Sequence, residues 1–221
     1  MLILHGFSFI LKVMIPVTKR RKFMDRAELK ARAKAQLGNG IFQNTWLMAA
    51  LVCFIQGAII SVASSFLAIA NIVLAGPMAY GLSVVFLKNA REGGEIKIED
   101  LFAGFSNDFL QIFLMGLLQS LFIALGSVVF VIPGIIVSMA LSMVWYIKID
   151  HPSYTWKEAF AASRDMTNGR KMELFILSLS FIGWILVGLL CFGIGILFVM
   201  PYMNATMAQW YLANKPAEVV L

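Results

Sequence analysis

Residues 173–215, ELFILSLSFIGWILVGLLCFGIGILFVMPYMNATMAQWYLANK, carry no charge between their two end groups. A helix rises about 1.5 Å per residue and the hydrocarbon core of a bilayer is about 30 Å thick. The 41 uncharged positions from 174 to 214 therefore suit two crossings, with the fold-back at CFGIG, 191–195. The same plan occurs twice more, because residues 35–87 and 109–147 are also uncharged and also too long for one crossing. Three membrane hairpins organise the chain.

Composition agrees: 60% of the 221 residues are hydrophobic and only 14% are charged, with a mean hydropathy of +0.84, where soluble domains carry roughly 25% charged residues. The expected fold class is all-α, a polytopic membrane bundle of six spans arranged as three hairpins with short amphipathic cytoplasmic helices. Cys53 and Cys191 both fall in apolar runs, where a thiol acts as a small hydrophobe, so no redox role is read. The net charge of +6 sits in short segments beside the spans, where cations meet anionic lipid on the cytoplasmic leaflet. Membrane lipid is thus the expected partner, with a membrane protein or a second copy of the chain as the other, and nucleic acid is not.

Residues 1–23 read as an N-terminal extension. Their apolar run is interrupted by His5, Lys12 and Pro16 and followed by the basic group Lys19 to Lys22, the reverse of a secretory signal. Either Met24 is the native start or the segment is an interfacial anchor. The six-span domain is placed at 24–215 and a cytoplasmic tail at 216–221.

Asp25 with Glu28 starts a helix through RAELKARAKAQL, whose Leu29, Ala33 and Leu37 share one face and whose Arg26, Lys30, Arg32 and Lys34 line the other. Spans one and two are expected at 45–66 and 69–87, the second kinked at Gly76-Pro77. Ile98, Leu101, Phe102 and Phe105 then repeat at the spacing of an amphipathic α-helix lying on a surface. Spans three and four are expected at 109–131 and 134–149, separated by a tight turn at Pro133-Gly134. Thr155 and Glu158 form a capping box opening a helix whose less polar face is Trp156, Ala159, Phe160 and Ser163. Pro201 lies inside the sixth span, so Pro77, Pro133 and Pro201 are the expected helix breaks. Apart from Lys12, every Lys and Arg falls in the N-terminal segment, the 88–108 and 148–173 loops or the tail, which predicts both ends in the cytoplasm when counting from Met24.

A weak internal repeat aligns WLMAALVCFIQGAIISVASS with FLQIFLMGLLQSLFIALGSV, Gln56 falling on Gln119 and Gly57 on Ser120. Both stretches also carry a small residue every fourth position, spacing that lets helices approach closely in lipid.

The six expected spans are read as free of ionisable Asp, Glu, Lys, Arg and His, which argues against a proton-coupled pump. The chain has no HExxH and no GxxxxGK[ST], and its two histidines, His5 and His151, are too few for a metal centre. No enzyme, cofactor or metal site is expected. The uncharged polar residues within the spans, Gln56, Asn71, Gln119 and Asn204 above all, are interhelical glue by default and a binding site by alternative. Trp46, Trp145, Trp184 and Trp210 read as interface or packing anchors.

The run WKEAFAASRDMTNGRKMELFILSLSFIGW, then GIG, PYMNATMAQWY and the earlier EDLFAGF resembles a bacterial family of six-span membrane proteins of unknown function. It is also distantly similar to the membrane domain that precedes some glycerophosphodiester phosphodiesterases. The resemblance runs from about residue 25 to 212 and implies architecture and a bacterial cell membrane; it carries over no catalytic residue. Two functions remain: a non-enzymatic scaffold or accessory protein that docks through its amphipathic helices, or a carrier for a lipid or other hydrophobic molecule built on Asn71 and Asn204 beside Pro77 and Pro201.

Overall fold

The structure is a computed structural model that describes residues 25–38, 44–66, 68–93, 95–106, 108–129, 131–190 and 195–215. The expectations for 1–23 and 216–221 lie outside these. Among the described residues every regular element is helical: α1 Arg26–Leu37, α2 Asn44–Phe66, α3 Ala68–Glu92, a 3-10 helix Ile98–Phe105, α4 Phe109–Val129, α5 Val131–Ala140, α6 Val144–Asp150, α7 Trp156–Thr167, α8 Lys171–Leu190 and α9 Ile196–Asn214. Five stretches are long and apolar enough to cross a membrane: Asn44–Val62, Asn71–Glu92, Phe109–Val128, Val131–Asp150 and Lys171–Leu190. α9 is not among them, since Asn204, Thr206, Gln209 and Asn214 dilute its apolar residues.

The amphipathic segments fold inward. Leu29, Ala33 and Leu37 of α1 are fully buried, and the helix packs chiefly on α9. Its Gln36 amide donates to Phe86 O at 3.0 Å and accepts from Gln209 at 2.9 Å. The Lys30 ammonium lies 4.4 Å from the centre of the Phe181 ring. Burial holds the Lys30 pKa below the usual lysine value, with Arg26 adding to the effect.

Segment 98–105 departs from its sequence reading. It is a 3-10 helix, in which residues three apart eclipse. Ile98, Leu101 and Gly104 therefore form one row, with Leu101 and Gly104 buried, while Phe102 and Phe105 are 45% and 37% exposed. The buried row lies directly on α3: a Cβ on Gly81 would fall inside the Leu101 carbonyl oxygen, and one on Gly104 inside the Pro77 carbonyl oxygen. Lys88 and Asp100 close the contact at 2.6 Å.

Pro133 does not form the turn expected of it. It lies in the first turn of α5, where its missing N–H takes no helical bond from the ladder. Pro77 and Pro201 lie inside α3 and α9, which continue through them. The interruption falls elsewhere, at 141–143, which divides the fourth expected span into α5 and α6.

That interruption is sealed by α7. Val144 N bonds Leu141 O rather than Ala140 O, leaving the last α5 carbonyl without a helical donor. Ser163 Oγ donates to Ala140 O at 2.7 Å and accepts from Met143 N at 3.3 Å. Gln119 of α4 donates to Leu141 O at 3.2 Å. Ala159, Phe160 and Ser163 are buried, as the 3.6-residue spacing predicts. We expect Ser163→Ala to cost about 1–3 kcal/mol, the penalty for leaving buried partners unpaired; chemical unfolding in detergent measures it, and a loss under about 0.5 kcal/mol would show that the break needs no seal.

The aligned glutamines behave alike. Gln56 donates to Met78 O and Gln119 to Leu141 O, each 22 positions along the chain. The return segments follow the same register: Gly104 sits against Pro77 O, and Thr167, 63 residues further on, faces Ala140 O, 63 residues beyond Pro77, at 3.4 Å. The two glutamines thus share one hydrogen-bonding register.

Candidate functional site

The charged groups gather where the ends of several helices meet. Asp150, at the end of α6, takes Arg91 from the end of α3, the Tyr211 hydroxyl at 2.8 Å from α9, and Lys215 at 3.5 Å. Its side chain is only 7% exposed, so one carboxylate ties three helix ends together. Beside it, Tyr146 stacks on Tyr211 with ring centres 5.3 Å apart.

Two residues earlier is Lys148, buried to 1% exposure. It lies just beyond the uncharged run, yet inside the expected span 134–149, so the reading that the spans are free of ionisable groups fails at this edge. Its ammonium donates to Gln111 Oε1 at 2.6 Å, to Tyr154 O at 3.0 Å and to Pro152 O. Gln111 completes the ring by donating to Tyr154 O at 3.0 Å. Three oxygens saturate the three N–H bonds of an ammonium, so this lysine fixes the 150–155 turn to α4. His151 stacks on Tyr154, centres 4.5 Å apart, and serves that turn.

A second buried pair lies at the start of α8. Glu173 accepts from Arg170 Nε at 3.0 Å and from Trp210 Nε1 at 3.1 Å. Arg170 also lies 5.3 Å from the centre of the Trp210 ring. Of the four expected tryptophan anchors, Trp210 is fully buried, Trp46 and Trp145 nearly so, and Trp184 is 57% exposed.

Two lateral grooves open on the bundle. One, of about 600 Å³, lies between the starts of α4 and α7, with Asp108, Thr155 and Lys157 at its rim, Leu110, Leu114 and Trp156 on its walls and Gln111 behind. At this rim the Glu158 carboxylate accepts from the Thr155 amide and hydroxyl, both at 2.8 Å, and those bonds hold its pKa below the usual carboxylate range. The other groove, of about 370 Å³, lies between α3 and α4 and is lined by Asn71, Ser120 and apolar side chains.

The four intramembrane amides are therefore not gathered in one place. Gln56 and Gln119 bond backbone carbonyls, as above. Asn204 bonds Met200 O in its own helix at 3.0 Å. Asn71 lines the groove between α3 and α4. Pro77 marks the seat of the 3-10 helix. Among the described residues no group of three or more His, Cys, Asp or Glu side chains is placed to hold a metal ion.

The sequence model of one protein family, described as protein of unknown function (DUF975), matches residues 24–134 and 127–217. The chain belongs to DUF975. The matched ranges take in every helix from α1 to α9, so the buried pairs of this DUF975 chain lie within the family's own span. No curated protein and no solved structure matches the chain.

Lys148, Asp150, Arg170 and Glu173 escaped the sequence reading because each stands at the edge of an uncharged run, where a charged side chain is taken for a solvated loop residue. Their one common sign is position: all four flank a long uncharged run.

Proposed function

We propose that this chain is a non-enzymatic integral membrane protein of a bacterial cell membrane, with six spans in three hairpins and both ends of the 24–215 domain cytoplasmic, working as a scaffold or accessory protein by contact. The observation that carries the reading is the fate of the polar groups inside the bundle. Gln56 and Gln119 donate to carbonyls of neighbouring helices and Asn204 to a carbonyl of its own helix, the use expected of structural amides rather than of groups gathered round a substrate. The contact surface differs from the one expected of amphipathic helices. The apolar faces of α1 and α7 are covered by the protein itself, so what they offer is the opposite, charged side: Arg26, Arg32 and Lys34 on α1, Lys157 and Glu158 on α7, all exposed. Those cations suit the anionic cytoplasmic leaflet or an acidic patch on a membrane protein or second copy.

Asn71 supports the carrier as a second reading, since it faces a lateral groove with Ser120. Extraction from the native membrane in a polymer nanodisc, followed by mass spectrometry, separates the two. The contact reading expects a stoichiometric protein partner that Asn71→Leu retains and that Arg26→Glu with Lys34→Glu loses. An enriched small molecule that disappears with Asn71→Leu, with no partner present, would replace the scaffold by the carrier.

A further inference from the structure

The groove between α4 and α7 has the polarity of an amphiphile. Its walls, Leu110 and Leu114, belong to a stretch apolar enough to cross a membrane and are 75% and 39% exposed, so acyl chains are their natural neighbours. Asp108 and Lys157 line its rim, the Glu158 carboxylate stands beside them on Thr155, and the buried Lys148 ammonium feels the Asp108 charge. The other polar groups nearby are already committed: Lys148 to three oxygens, Gln111 to Lys148 and Tyr154 O, Thr155 to Glu158. These bonds are to neutral groups and leave the charges in place, so two carboxylates, Asp108 and Glu158, stand against two ammonium groups, Lys148 and Lys157, and the charges at the rim cancel. An anionic headgroup would meet Asp108 and a cationic one would meet Lys157, whereas a zwitterion satisfies both. Trp156, half-buried, lies with its ring 5.4 Å from Lys157 Nζ, in the place between apolar and polar surfaces that tryptophan favours.

We propose that this groove is a binding site for one phospholipid whose headgroup carries a primary ammonium and a phosphate, as in phosphatidylethanolamine. The ammonium donates to the Asp108 carboxylate, the phosphate faces Lys157, and an acyl chain runs along Leu110 and Leu114. A primary ammonium donates hydrogen bonds to a carboxylate; the quaternary ammonium of phosphatidylcholine has none to donate. The site is distinct from the exposed cations of α1, which meet the leaflet as a whole.

The test reconstitutes the full chain in bilayers of equal phosphatidylethanolamine, phosphatidylcholine and phosphatidylglycerol with identical acyl chains, then reads the lipids retained by native mass spectrometry. The expected result is one retained phosphatidylethanolamine per chain, preferred about tenfold over each competitor, the effect of one charge-assisted hydrogen bond. Asp108→Asn removes the preference over phosphatidylcholine, and Lys157→Gln lowers retention of both zwitterionic lipids. Both side chains are exposed, so unfolding midpoints stay near that of the parent. Equal retention of the three lipids by the parent chain, or a preference that survives both substitutions, overturns the proposal. Either result leaves the contact reading untouched, because its tests rest on Asn71, Arg26 and Lys34.

Discussion

Replacing Gly81 by alanine is expected to destabilise the protein by about 3 kcal/mol or more, although the same change in an exposed helix interior gains about 1 kcal/mol of helical propensity. The sign reverses because the new Cβ has nowhere to go. Its neighbours would be the carbonyl oxygen, carbonyl carbon and Cα of Leu101, and main-chain atoms cannot swing aside as a side-chain tip can. The 3-10 helix must lift off α3, which exposes Leu101, worth about 1.5–3 kcal/mol of burial, and pulls Asp100 from Lys88. Gly104→Ala, meeting the Pro77 carbonyl from the opposite side of the contact, should behave alike. Gly183 is the control: it lies inside α8 with nothing within 4 Å of its virtual Cβ, so Gly183→Ala leaves stability unchanged or raises it. Thermal unfolding in one detergent, with limited proteolysis of the 93–97 connection, reads both effects. Equal midpoints for Gly81→Ala and Gly183→Ala would sink the close-packing argument.

The second large effect is at Glu173. Its side chain is 2% exposed and that of Arg170 is 7% exposed, and removing the carboxylate takes a buried counter-charge from Arg170 and the acceptor from Trp210 Nε1. Glu173→Ala should cost about 3–5 kcal/mol. Glu173→Gln should cost less, because the amide oxygen still accepts from Trp210 Nε1. The double change Arg170→Met with Glu173→Met should recover much of the loss, since a buried ion pair adds little over well-packed apolar groups. Chemical unfolding followed by tryptophan emission tracks the Trp210 environment directly. A cost below about 1 kcal/mol for Glu173→Ala would mean that apolar packing around Trp210, not the pair, secures α8 to α9.

What the sequence made legible follows from periodicity. The uncharged runs mark the membrane-like helices, and the 3.6-residue spacing in α1 and α7 picks out Leu29, Ala33, Leu37, Ala159, Phe160 and Ser163, all of which are buried. The same rule misplaced the 98–105 segment, because 98, 101, 102 and 105 fit an α-helical face while the chain adopts a three-residue period that separates Leu101 from Phe102. The break at 141–143 had no local sign: LSM contains neither Gly nor Pro, and what sustains the turn is a serine 20 positions away. Conversely, Pro133-Gly134 looked like punctuation and lies within a helical first turn. The candidate amides were read from their place in the uncharged runs, but whether an amide holds a carbonyl or faces a groove depends on the neighbouring helix, which no spacing encodes.

The seat of α1 has a consequence for the birth of the protein. Its polar contacts with α9, Tyr202 to Lys30 and Gln209 to Gln36, join residues 172 and 173 positions apart. At a ribosomal pace of roughly 5–20 residues per second, α1 waits about 9–35 s for its partner to be made. During that interval α1 has only its contacts with α2 and α3, such as Gln36 to Phe86 O, to hold it. The seat of α1 is therefore completed only once α9 has been made, which makes its docking a late event in the assembly of the bundle.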